Sequence, residues 1–123
     1  MSYKLFLDDY RTPEMVTWAK LAPGPWVIVK DYDEFRAAIE EHGIPEFIAY
    51  DHDLADIHHD ETFGAQERTG WHCAAFLIQE YCLEFEIPHP PYMVHSMNPV
   101  GAERIRNYIE DYNRVWREDH PNQ

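Results

Sequence analysis

A basic footprint is the first thing this chain lacks. Lysine and arginine number 10 against 23 aspartates and glutamates, which gives a formal net charge of −13 with histidine neutral. Duplex binding needs clustered cations to displace counterions from phosphate, and so does an anionic membrane surface. Neither duplex DNA nor a membrane is therefore an expected partner. A small phosphorylated ligand held by a metal and a few arginines stays open, because net charge speaks mainly to solubility. Long hydrophobic runs are also missing; none approaches the roughly 20 apolar residues that span a bilayer. The start, Met1-Ser2-Tyr3-Lys4, leads straight into a short apolar stretch without an h-region or a small-residue cleavage site, so no signal peptide is expected. Cysteine is limited to Cys73 and Cys82. Both fall in one expected helix. At about 100° per residue their spacing turns them half a turn apart, so a disulfide between them is not expected. They read as small buried apolar residues, and reduced thiols suit a cytoplasmic setting. There is no Gly-x-x-x-x-Gly-Lys loop, no Gly-x-Ser-x-Gly elbow, and no Cys/His set spaced for structural zinc.

What is present suffices for one domain over residues 1–123, with 45% hydrophobic and 15% aromatic residues to build a core. Strand and helix alternate four times. Tyr3–Leu7 reads as the first strand. Thr12-Pro13-Glu14 then reads as an N-cap with Pro at N1, opening a short helix that ends near Lys20. After the Pro23-Gly24-Pro25 break comes a second strand, Trp26–Val29. Asp31 and Glu34 cap a helix that Gly43 stops. Phe47–Tyr50 is the third strand. The polar stretch 55–68, without periodicity, reads as a long loop of the kind that often serves as a lid or binding segment. A helix over Thr69–Phe85 follows, with an apolar stripe of Trp71, Ala74, Ala75, Ile78, Tyr81, Cys82 and Phe85. Tyr92–Val94 is the fourth strand. Asn98 and Pro99 open the last helix, whose buried face is Ile105, Tyr108, Ile109, Tyr112, Val115 and Trp116. Such alternation implies α/β architecture: a parallel four-stranded sheet of flavodoxin-like order 2-1-3-4, with helices on both faces.

In open α/β sheets ligands bind beyond the carboxyl ends of the strands, near the point where strand order reverses. Strand one ends in Asp8-Asp9, strand three in Asp51-His52-Asp53, and strand four in His95-Ser96-Met97-Asn98. Two unit charges 4 Å apart repel by about 4 kcal/mol at an effective dielectric near 20. A divalent cation removes that penalty, and an oxygen-rich set of Asp8, Asp9, Asp51 and Asp53 favours Mg²⁺ or Mn²⁺. The plainer alternative is that each pair merely caps the turn after its strand. His52 and His95 are suited to proton transfer near neutral pH, with Asp51 beside them. Asn98 and Gly101 open a helix whose N–H groups suit an anion, or are an ordinary cap. Arg11 is placed to grip a phosphate, and Arg104 more weakly so; either also reads as a surface ion pair. His58, His59, Asp60 and Glu61 are adjacent in a manner that does not suit zinc, and read as solvated loop.

The ordered set Leu5-Phe6-Leu7-Asp8-Asp9-Tyr10-Arg11-Thr12-Pro13, Asp51-His52-Asp53-Leu54, Thr69-Gly70 and His95-Ser96-Met97-Asn98-Pro99-Val100-Gly101 resembles the cyclic-phosphate processing receiver-like domain, a divergent branch of the response-regulator receiver fold. The resemblance implies that Asp8 and Asp9 match the metal-binding acidic pair, Asp51 the phosphoacceptor position and Ser96 the hydroxyl position. The branch's own motifs add His52, Asp53, His95 and Asn98, and Thr69 joins the phosphate-binding set. It implies metal-dependent processing of a cyclic phosphate on a nucleotide or an RNA end. The alternatives are a non-catalytic module that binds a phosphorylated nucleotide and a degenerate phosphoacceptor receiver. One departure bears on the last: the fifth strand and its terminal lysine have no counterpart, since the lysines are Lys4, Lys20 and Lys30.

Overall fold

In parallel sheets the side-chain period of two sends alternate residues to opposite faces, and both faces must be covered. A computed structural model describes residues 2–21, 23–54 and 68–122. Strands β1 (Lys4–Leu7), β2 (Val27–Val29), β3 (Phe47–Tyr50) and β4 (Tyr92–Val94) form one sheet of order β2-β1-β3-β4. All three pairings are parallel, in the receiver-like arrangement expected. Leu5, Leu7, Ile48, Tyr50 and Val94 point into the larger core, while Phe6 and Ala49 point the other way into a smaller one.

The larger core is closed by helices. Helix α1 (Tyr32–His42) starts at Asp31, whose carboxylate accepts from the Glu34 N–H at 2.8 Å, and ends at Gly43, where φ is +85°. Helix α2 (Gly70–Leu77) starts at Thr69 and runs through a π-helical turn (Ile78–Cys82) into α3 (Leu83–Phe85). Helix α4 (Pro99–Asp119) starts at Asn98, whose side chain accepts from the Gly101 N–H at 3.0 Å. Phe35 and Ile39, Cys73 and Leu77, and Ile105 and Ile109 all join the same core cluster.

The expectation of helices on both faces is therefore corrected. In this strand order the β1-to-β2 connection runs in the direction opposite to the later ones. Right-handed crossovers accordingly put it on the other face. That segment is not the expected helix to Lys20: it forms only a 3₁₀ turn, Pro13–Met15, after which Val16 is extended. Val16, Ala19, Leu21 and Trp26 cover Phe6 and Ala49 as irregular chain. The stretch Val16-Thr17-Trp18 has two β-branched residues and an indole, and these lose rotamer freedom against a helical turn.

The Thr69–Phe85 stripe is corrected at its C-terminal end. Leu83 and Phe85 are exposed, whereas Cys73, Phe76 and Leu77 are buried. Cys73 and Cys82 do not face opposite ways; both are fully buried in one cluster as free thiols. The π turn advances less than 100° per residue and brings Cys82 back toward the core. In α4, Val115 is exposed rather than part of the buried face. The expected loop and its His58-His59-Asp60-Glu61 cluster lie outside the described residues, apart from Arg68. No helix among the described residues is long and apolar enough to cross a membrane.

Candidate functional site

A carboxylate inside a protein persists only when donors compensate it. Asp8, just past β1, is 1% exposed. Its Oδ1 accepts from the N–H groups of Tyr10 (2.9 Å) and Arg11 (2.8 Å), and its Oδ2 accepts from His95 Nε2 (3.0 Å). The Arg11 guanidinium lies 3.6 Å away. Burial alone would raise the Asp8 carboxyl, but the His95 and backbone hydrogen bonds outweigh it and hold the group below its ordinary value. Asp51, at the end of β3, is almost as buried and accepts from the His52 N–H at 2.9 Å. Its carboxyl is pushed up to about 6, first by burial and then by the Asp8 charge. Asp9 is raised for the same two reasons.

Asp8, Asp9 and Asp51 each offer a carboxylate oxygen, and these atoms lie within 4.8 Å of one another. Two of the three are destabilised as anions by their surroundings, and all three present hard oxygen donors. The set could hold a metal ion. Asp53, expected as a fourth ligand, is not in that group. Its carboxylate accepts from His52 (2.9 Å) and from the Asn98 amide (3.2 Å), and the hydrogen bond from His52 is foremost in holding it below its ordinary value.

Beside the carboxylates lies a cavity of about 330 Å³ lined by Asp9, Arg11, Asp51, Asp53, Ser96 and Asn98, with Tyr10 and Met97 at its sides. A larger hollow, about 630 Å³ beside Pro88 and Trp116, has no carboxylate in its lining. The expected residues thus separate into two groups. Arg11, Ser96 and Asn98 reach the cavity. His95 does not: its ring is enclosed, stacked on Phe6 at 4.7 Å, with Nε2 on Asp8 and Nδ1 without a partner among the described residues. His52 does not line it either: its Nδ1–H is on Asp53 and its Nε2 is buried without a partner among the described residues.

Four other residues serve the frame. Thr69 caps α2, its hydroxyl accepting from the Trp71 N–H at 3.2 Å. Arg104 turns to the Trp71 ring, 4.7 Å from its centroid. A Cβ on Gly101 would lie 2.3 Å from the His52 ring, so the glycine makes room for the imidazole. Gly70 has a similar reason: a Cβ there would lie 1.8 Å from the Asp51 carbonyl oxygen.

Sequence reasoning missed Tyr10, Trp18 and Met97. Trp18 Nε1 donates to the His95 carbonyl (2.9 Å), and the indole carries the Arg11 guanidinium at 5.0 Å. Tyr10 and Met97 stand inside the motif stretches, between residues already singled out, and that position was the available signal. Nothing in local spacing marks Trp18.

A family model described as the cyclic-phosphate processing receiver domain matches residues 3–111. No curated protein and no solved structure matches the chain.

Proposed function

The chain belongs to the cyclic-phosphate processing receiver domain family, and from that premise we propose that it hydrolyses a cyclic phosphate on a nucleotide or RNA end, using a divalent cation held by Asp8, Asp9 and Asp51. The observation that carries this reading is the convergence of three carboxylate oxygens within 4.8 Å beside a cavity that also offers Arg11, Ser96 and Asn98. Bound Mg²⁺ or Mn²⁺ would supply Lewis-acid polarisation of the phosphoryl group and a water acidic enough to attack. In the reaction, water adds to phosphorus, one ring P–O bond breaks, and the freed alkoxide takes a proton to leave a phosphate monoester. Arg11, Ser96 and Asn98 donate to the phosphoryl oxygens as their charge grows. Neither imidazole is assigned as proton carrier, because the His95 ring is enclosed and His52 Nε2 is buried without a partner among the described residues; His52 acts by holding Asp53, which lines the cavity. His95 then acts by fixing Asp8.

Incubation with adenosine 2′,3′-cyclic phosphate and Mn²⁺, followed by chromatography, tests the reading. The expected product is an adenosine monophosphate, with turnover reduced by at least about 100-fold in Asp51→Asn. Absence of turnover, or full turnover by that variant, overturns it. Phosphoryl transfer to Asp51 is a second reading, favoured by Asp51 and Ser96 lining the same cavity. None of the three lysines lines the cavity, which weighs against it. An unchanged intact mass after acetyl phosphate and Mg²⁺ rejects it.

A further inference from the structure

Two large, exposed apolar side chains line the cavity. Tyr10 is 76% exposed and Met97 is 65% exposed, and neither belongs to a core cluster. Single exposed apolar residues are ordinary and need no explanation. Here two of them line the same otherwise polar cavity. They come from the loops after β1 and β4, the strands on either side of the β3 end that carries Asp51.

Both stand on fixed backbone. The Tyr10 N–H is bound to Asp8 Oδ1, and next to Met97 the Asn98 N–H donates to the Ser96 hydroxyl at 3.1 Å. Arg11 joins the two loops. One side of its guanidinium is taken by the Trp18 indole, and Nη2 lies 3.6 Å from the Met97 sulfur. A phosphate alone would use Arg11 and the cation but leave the phenol without a partner and the thioether with only its Arg11 contact. A flat, weakly polar ring carried on the phosphate ester would cover both. Base stacking on an aromatic side chain is favourable for any base, because every base has a π face. A polymer backbone has no comparable match, since the chain carries −13 and repels further phosphates.

We propose that Tyr10 and Met97 form a base-holding jaw, so that the ligand of this site is a mononucleoside cyclic phosphate recognised by its base as well as its phosphate. This rests on the reading of the carboxylate cluster as a metal-assisted phosphate site.

The test compares equilibrium affinities by calorimetry with Mn²⁺ present, using the stable monoesters adenosine 3′-monophosphate and glycerol 2-phosphate. The wild type is expected to bind the nucleotide about tenfold more tightly. That preference is expected to shrink to less than about threefold in Tyr10→Ala and in Met97→Ala, and to persist in Tyr10→Phe, which keeps the ring. Equal affinity for the two monoesters in the wild type overturns the jaw and leaves the phosphate site standing. Manganese-dependent binding of neither monoester overturns both readings. A trinucleotide ending in the same 3′-phosphate is expected to bind no tighter than the mononucleotide; tighter binding overturns the assignment to a mononucleoside. Circular dichroism on the same samples separates lost recognition from lost folding.

Discussion

His89 is a buried histidine with a purely structural account. It is 4% exposed and sits between two partners that suit the neutral ring: the Tyr50 hydroxyl donates to Nε2 at 2.8 Å, and Nδ1–H donates to the Pro90 carbonyl at 2.7 Å. Burial pushes its pKa down to about 4 against the Pro90 hydrogen bond, which acts the other way. The unfolded chain takes up a proton at this residue near pH 6.5, whereas the folded chain resists until about pH 4. Between those values the unfolded state binds more protons, so the contribution is complete above pH 6.5 and is lost as pH falls toward 4. The loss amounts to at most roughly 3 kcal/mol. Urea unfolding at a series of pH values, compared with His89→Phe, isolates it: the wild type is expected to lose stability relative to the variant across that window. Parallel curves would reject the account. None of this was legible in Pro88-His89-Pro90. The carboxylates were legible because strand ends in an α/β sheet have a known use. That neither histidine lines the cavity was not, because the packing of His95 under Asp8 depends on contacts between residues 87 positions apart.

Elements were legible where local preference and tertiary demand agree. Asp31 with Glu34, and Asn98 with Pro99, predicted helix starts that the structure contains, and the β4 bounds coincide with the apolar run Tyr92–Val94. The Thr12-Pro13-Glu14 signal is equally good locally, yet the chain leaves the turn at Val16. There the tertiary demand is for Val16 and Trp26 beneath the sheet and for Trp18 at the rim, where its N–H reaches the His95 carbonyl. The π turn at Ile78–Cys82 had no signal in the apolar pattern, and it reset the phase of everything after it. The start of α2 makes the sharpest demand on a single residue. Gly70 touches the Asp51 peptide so closely that an added methyl would overlap backbone, which cannot rotate away. Gly70→Ala is therefore expected to cost roughly 3 kcal/mol or more in urea unfolding and to displace Asp51. Gly43→Ala, where only the positive φ is at stake and nothing stands within 4 Å, should cost less, about 1–2 kcal/mol. Equal costs would mean that α2 can lift away from β3 without penalty.

At the scale of the molecule, the order β2-β1-β3-β4 followed from alternation and right-handed crossovers, and that order brings Asp8 and Asp51 side by side. It also ties the site to the stability of the whole. The chain carries −13, and the fold presses carboxylates together where two of them are raised by burial and by a neighbouring charge. Without a cation Asp9 and Asp51 oppose folding. Removing one charge there should then stabilise the metal-free protein: Asp51→Asn in chelator is expected to melt higher than the wild type by roughly 4 °C. Adding Mg²⁺ should reverse the order, because a ligand that binds only the folded state stabilises it by about 2.7 kcal/mol at a hundredfold excess over its dissociation constant. The variant lacks the ligand that makes this possible. Sodium chloride at matched ionic strength controls for the general charge, since screening acts on exposed carboxylates over the whole surface and helps both proteins alike. A wild type that gains no more from Mg²⁺ than from sodium would show that the three carboxylates hold no divalent ion. A variant that melts below the wild type in chelator would show instead that Asp51 is already compensated within the fold, as Asp8 is by His95 and two backbone N–H groups.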